Sequence, residues 1–265
     1  MVFPENIKDR EEFVFEQVLS GNFEAEWTPL EYLVQGKTVK LNVMKDALKV
    51  DGVRVNVSAQ FQQKLADVFD ASLLTAQVVD LMYIHAQKRI DPQPMPISST
   101  VAAMLKHSQN VDRAIGSSDP GGLIAPVGKH WVLDKKLESL PDRACTYGWH
   151  FVGTTMRGIK GYSVASQYNQ NFPKAQNNSV IQQNTCGHDM WHLDYSQTCQ
   201  LVSQVCWVDG EEKRFSDLLQ DANLHNLVTH AGALKINRQP GTTPFVGTMV
   251  LFPTKIVVDS SNGVA

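Results

Sequence analysis

The sequence predicts an α+β fold in which N-terminal helices precede an antiparallel or mixed β-sheet core. Apolar residues recur at helical spacing in several segments before residue 117. From Leu123 onward, short runs rich in β-branched and aromatic residues replace them. No fixed-period repeat or heptad interrupts this order, which removes solenoids and coiled coils.

The first helix is read over 6–21, where Phe13, Phe15, Val18 and Leu19 are apolar and Gly21 stops the run. Val39, Leu41 and Val43 then alternate with polar residues, as on a half-buried strand. Val53, Val55 and Val57 repeat the pattern after the turn dipeptide Asp51-Gly52. Ser58 suits an N-cap, with Phe61, Leu65 and Val68 on one helical face behind it. A second helix is expected over 73–90, and His85 near its end fits packing or a dipole role. Pro92, Pro94 and Pro96 forbid helix and place a linker. The chain therefore divides into a mainly helical 1–95 with a short β-hairpin and a β-rich 96–265, or runs on as one continuous domain.

A further helix is expected around 100–116, with Val101, Met104 and Leu105 inward. Strands follow at HWVLD, ACTYGWHFVG, GYSVASQY, HLDYSQ, CQLVSQVCWVDG and TMVLFP. RFSDLLQDANLHNLV reads as a late helix capped by Ser216. Residues 166–184 are rich in Asn and Gln and read as a lid, a substrate-contacting flap or a plain surface loop.

A net charge of −3 with no Lys/Arg run argues against nucleic acid. No apolar run approaches the ~18–20 residues that span a bilayer, so membrane insertion is not expected. The start MVFPENIKDREEF lacks a signal-peptide pattern, which predicts a cytoplasmic protein or one released without a visible signal. Cys145, Cys186, Cys199 and Cys206 form no CxxC pair and read as reduced thiols. A Cys186–Cys199 bridge is the competing expectation outside the cell.

The densest chemistry lies in TCGHDMWHLDYSQTCQ, residues 185–200. The leading expectation is a soluble hydrolase built on His150, His188 and Asp194, helped by His130, Tyr195 and Ser196. His150 or His188 serves as base and Asp194 orients it. Ser196 or Ser163 offers a nucleophile, and Tyr195 or Lys129 donates to developing charge. Cys145 or Cys186 beside a histidine is a weaker option. A cell-wall or polysaccharide substrate suits such a polar, aromatic-lined site, and no cofactor is required. The metal alternative is a zinc-dependent peptidase or amidase. On a strand, His188, His192 and Asp194 share one face, and a His/His/Asp set suits zinc. The non-catalytic alternative is a viral or cell-surface binding or structural protein whose polar residues serve the fold.

The pieces GKH (128–130), YGWH (147–150), IKGYS (159–163), His188, DYSQTCQLVS (194–203) and VDG (208–210) resemble, in order and spacing, an uncharacterised bacterial protein family. The resemblance covers about a hundred residues and implies no activity. It adds weight to His130, His150, His188, Asp194, Tyr195 and Ser196. The chain departs from the pattern at Gln197 and Gln200, where histidine and arginine are expected, and at His192, where the pattern has tyrosine. HDMWH is also similar to the E-x-W-H element of zinc D-Ala-D-Ala peptidases, but the upstream histidine-to-aspartate motif is not reproduced.

Overall fold

Asn6 starts helix α1 (Ile7–Leu19) by accepting a hydrogen bond from the Asp9 amide at 3.2 Å. These are coordinates of a computed structural model, which describes residues 2–152, 163–164, 179–247 and 250. Val14, Phe15 and Val18 bury the apolar face of α1. Strands β1 (Trp27–Val34) and β2 (Lys37–Met44) form an antiparallel hairpin. Gln35 and Gly36 turn it, both at positive φ, which matches the twist of paired strands. The short pair β3 (Lys49–Val50) and β4 (Val53–Arg54) turns at Asp51-Gly52 as predicted, although the alternation to Val57 does not continue as strand.

Ser58 caps α2 (Ala59–Val68), its hydroxyl accepting from the Phe61 amide at 3.3 Å. The helix expected over 73–90 is shorter. Residues Ala71–Ser72 pair as β5, Thr75 caps α3 (Ala76–His85), and Lys88–Arg89 pair as β6. Helix α4 (Val101–Ile115) ends at Gly116. Strands β7 (Ile124–Ala125), β8 (Lys129–Val132), β9 (Arg143–His150), β10 (Ser163–Val164) and β11 (Ser179–Asp189) come next. Strands β12 (Val202–Ser203), β13 (Val205–Val208) and β14 (Glu211–Arg214) lead into α5 (Phe215–Gln220). Ser216 lies inside α5 rather than capping it, and its amide donates to Gln204 Oε1 at 3.0 Å.

The fold is α+β, with antiparallel sheets and an N-terminal helix. A six-stranded sheet runs β14-β13-β2-β12-β5, with β1 also paired to β2. It draws strands from both sides of residue 95, and a continuous buried core extends from Phe3 to Leu234. The four-stranded sheet, β10-β11-β9-β8, carries His130, His150 and His188, and Asp194, Tyr195 and Ser196 follow the end of β11. Of the Asn/Gln-rich stretch, Ser179 to Asn184 belong to β11, and residues 165–178 lie outside the described residues. So do the side chain of Ser163 and most of TMVLFP. Among the described residues, no helix is long and apolar enough to cross a membrane.

Cys145 on β9 and Cys186 on β11 are joined by a disulfide, which corrects the expected reduced thiols at these two positions and the competing Cys186–Cys199 pairing, while Cys206, like Cys199, is a free thiol as expected. The two strands are neighbours, so the bridge closes across the sheet. Cys199 is buried elsewhere as a free thiol.

Candidate functional site

The extended reading of residues 188–196 is overturned, because two aspartates bend the chain there. Strand β11 ends at Asp189, whose carbonyl accepts from the His192 amide at 3.3 Å. Its carboxylate accepts from the Trp191 amide at 2.9 Å. This turn folds His192 back onto His188, and the rings stack with centroids 3.9 Å apart and planes 14° from parallel. Asp194 makes the second turn. Its Oδ1 accepts from the Ser196 amide at 2.8 Å and the Ser196 hydroxyl at 2.5 Å. HLDYSQ is thus two consecutive turns, not a strand.

Lys129 on β8 supplies the countercharge, with Nζ 2.8 Å from Asp194 Oδ2. Gly128 makes the approach feasible, because a Cβ there would lie 2.4 Å from the Ser196 carbonyl oxygen. Burial alone raises the Asp194 pKa. The Lys129 ammonium and the two Ser196 donors outweigh it and hold the carboxyl below its ordinary range.

Around this ion pair, several buried polar atoms have no hydrogen-bond partner among the described residues. They are Asn56 Oδ1, His107 Nε2, His192 Nε2, Gln197 Nε2 and Thr198 Oγ1. Asn56 and Gln197 are already tied to the Asp194 backbone through their other amide atoms. The His107 pKa is pushed down to about 4, by burial first and then by the Arg54 and Lys129 cations. His188 is lowered by burial, by His192 and by Lys129. His192 keeps 30% of its side chain exposed, and Trp191 beside it is 61% exposed. Tyr195 turns away, donating its hydroxyl to the Met95 carbonyl at 2.7 Å and pinning the proline-rich strap. Ser196 is buried.

His150 and His130 lie on the opposite face of this sheet. Lys129 and His130 are consecutive on β8, so their side chains leave on opposite sides. His150 Nε2 is 2.7 Å from Asp80 Oδ1 on α3, and the Tyr147 hydroxyl donates to that oxygen at 2.8 Å. In an unbroken strand, Tyr147 and His150 would point to opposite faces. Gly148 at φ 109° and Trp149 at φ 67° reverse the alternation and bring both onto Asp80. Only glycine fits at 148, since a Cβ would lie 2.9 Å from Val79 Cγ1 and 3.3 Å from His130 Cδ2. Trp149 is thereby sent to the other face, where its ring meets His107 and Tyr195. His130 pairs across the strands with Tyr147, and burial together with His150 pushes its pKa down to about 3.

The expected gathering of His150, His188 and Asp194 therefore does not occur. His188 pairs with Ala144, six positions from His150 on β9, which is roughly 20 Å along a strand. The carboxylate that meets His150 is Asp80, not Asp194. Asp80 was missed, although its signal was present: it is a carboxylate among the buried residues Val78, Val79, Leu81, Met82 and Tyr83 of α3.

No protein-family model matches this chain, nor does any curated protein or solved structure compared with it.

Among the described residues, no group of three His, Cys, Asp or Glu side chains is arranged to hold a metal ion. Stacked imidazoles aim their in-plane lone pairs in parallel, whereas two ligands must converge on one ion at about 2.0–2.1 Å. With Cys145 and Cys186 bridged and Cys199 raised by burial, none of these three offers a ready thiolate. A cleft of about 340 Å³ lies elsewhere, lined by Glu26, Lys45, Asp46, Arg54, Asp112 and Asp119 among others. Its charges satisfy one another: Arg54 pairs with Asp46 and Asp112, and Lys45 with Glu26 and Asp119.

Proposed function

We propose that the Asp194 centre binds a neutral, hydroxyl-rich ligand of the polysaccharide or peptidoglycan type, and that the chain is a binding module. The observation that carries this reading is the set of polar atoms without a partner among the described residues around a charge-balanced ion pair. Each buried group left unanswered costs about 1–3 kcal/mol. Sugar hydroxyls both donate and accept, so one ligand class answers an amide nitrogen, an amide oxygen, a hydroxyl and two imidazoles. Lys129 and Asp194 cancel, and His107 stays uncharged near neutrality, which favours an uncharged ligand. The exposed Trp191 beside the stacked imidazoles offers an apolar face to a sugar ring. The Cys145–Cys186 bridge supports a location where thiols are oxidised, as at a cell surface.

Hydrolysis at the same centre is the second reading, and it rests on one distance. His192 Nε2 lies 4.0 Å from Asp194 Oδ2. A partly exposed imidazole whose buried Nε2 faces an ionised carboxylate needs only a small shift to act as a general base.

The test is calorimetric titration of the full chain with neutral oligosaccharides and soluble peptidoglycan fragments. The same mixtures are assayed for new reducing ends and free amines. Binding without product supports the module. Product that disappears in His192→Ala supports hydrolysis. Neither binding nor product removes both readings.

A further inference from the structure

The Asp80 face holds an arrangement that saccharide binding does not use. A carboxylate accepts, and Asp80 Oδ1 already takes the Tyr147 hydroxyl. The proton shared with His150 therefore resides on Nε2 of the imidazole. That choice leaves His150 Nδ1 with a bare lone pair, and this nitrogen has no hydrogen-bond partner among the described residues. His130, on the same face, presents a second unpartnered Nδ1. Both rings are more than nine-tenths buried. His130 stays neutral near pH 7, so it can face a developing negative charge as a neutral donor when Nδ1 carries its proton. Trp149, a non-glycine residue in the left-handed region, is held there next to His150. Strain of this kind persists where surrounding structure enforces it, often at a functional site.

We propose that His150 Nδ1 is a general base for cleavage of a small acyl ester or amide, with Asp80 and Tyr147 as positioning residues and His130 as the donor to the carbonyl oxygen. A water molecule passes a proton to Nδ1 as its oxygen bonds to the carbonyl carbon. The carbonyl oxygen takes up negative charge against His130. Collapse breaks the bond to the leaving oxygen or nitrogen, which receives the proton from Nδ1. The products are a carboxylic acid and an alcohol or amine, and nothing else is consumed. Asp80, with 18% of its side chain exposed, is where the centre meets solvent. Tyr83 stacks on the His150 ring at 4.6 Å and is anchored by its hydroxyl to the Phe151 carbonyl. Under this proposal the substrate must reach Nδ1 along the Asp80 edge past Tyr83, which limits it to small molecules.

Nitrogen NMR of the full chain at pH 7 reads the first requirement directly. The His150 proton is expected on Nε2, and Asp80→Asn is expected to shift it towards Nδ1. A wild-type proton on Nδ1 overturns the proposal. The second measurement is hydrolysis of p-nitrophenyl acetate and of a matching anilide across pH. His150→Gln is expected to lose about 10²–10⁴-fold. Asp80→Asn is expected to lose less and to shift the pH profile, to which the Asp80, His130, Tyr147 and nearby His230 groups contribute. His85→Gln, at the exposed end of α3, is the surface-imidazole control and should leave the rate unchanged. Equal turnover in wild type and His150→Gln, or none in wild type, overturns the proposal. Saccharide titration of the same samples keeps this result separate from the Asp194 reading.

Discussion

The two faces of the β8–β9–β11 layer treat a carboxylate in opposite ways. Asp194 is buried against a full ammonium at 2.8 Å. Asp80 is partly open and meets a neutral hydroxyl and an imidazole. One dipeptide, Lys129-His130, supplies a residue to each side. A carboxylate locked to a permanent cation is stabilised as an ion and has little reason to move a proton. A carboxylate locked to an imidazole fixes one ring nitrogen and frees the other. The first arrangement suits a rigid polar cradle, and the second suits proton transfer.

The sharpest way to break this contrast is Lys129→Ala. It strands a buried carboxylate, and such losses cost about 3–5 kcal/mol. Asp80→Asn keeps its shape and strands no charge, so it should cost clearly less. Urea unfolding of both variants measures the gap. Equal losses would mean that the Lys129–Asp194 pair is no more structural than the Asp80 cluster.

Acid should weaken both faces. His130 is held near 3 and His107 near 4, against about 6.5 when unfolded. Below pH 6.5 the unfolded chain takes up protons that the native chain refuses, so stability falls with pH until each folded-state value is reached. The slope is up to about 1.4 kcal/mol per pH unit for each group. Asp194 adds to the loss at lower pH. Its lowered value contributes stability above the ordinary carboxylate pKa, and that contribution disappears as the pH falls through the folded value. Stability of His130→Gln and His107→Gln followed from pH 7 to pH 3 should show a flatter slope in each. An unchanged slope would mean the imidazole is not kept neutral by burial.

Local signals made much of the fold legible. The Ser58 cap, the Asp51-Gly52 turn and the periodicity of α4 act within a few residues, and each is found where the sequence placed it. The site was legible only in part, because its geometry depends on reversals that period-2 reasoning does not anticipate. Asp189 and Asp194 satisfy their own turns, so His188 and His192 meet by stacking rather than by strand alternation. Gly148 and Trp149 flip the face on which His150 emerges. Asp80 joins the site from a helix 70 residues away in sequence, a distance at which spacing carries no information.

Gly148→Ala tests that reversal. The left-handed backbone and the close approach to Val79 oppose any side chain, and strain of this kind costs about 1–3 kcal/mol. The loss should be accompanied by separation of Tyr147 from His150, seen as loss of the Nε2 proton signal. The Asp194 face should change less, since it meets this segment through the Trp149 ring. Equal disturbance on both faces would show that the centres are not independent.

Trp191→Ala should have the smallest effect on stability. The side chain is 61% exposed at the tip of a turn whose hydrogen bonds come from Asp189 and the backbone. Surface changes of this type stay within about ±0.5 kcal/mol. Its influence on binding should be larger than on folding. An aromatic face packed on a ligand contributes about 0.5–1.5 kcal/mol beyond its area, so saccharide affinity should fall several-fold while the urea midpoint holds. Hydrolysis of the small ester on the Asp80 face should be untouched. If Trp191→Ala leaves saccharide binding intact, the ligand is not reaching the Asp194 centre past the imidazole pair. If it slows the ester reaction, the sheet does not insulate its two faces.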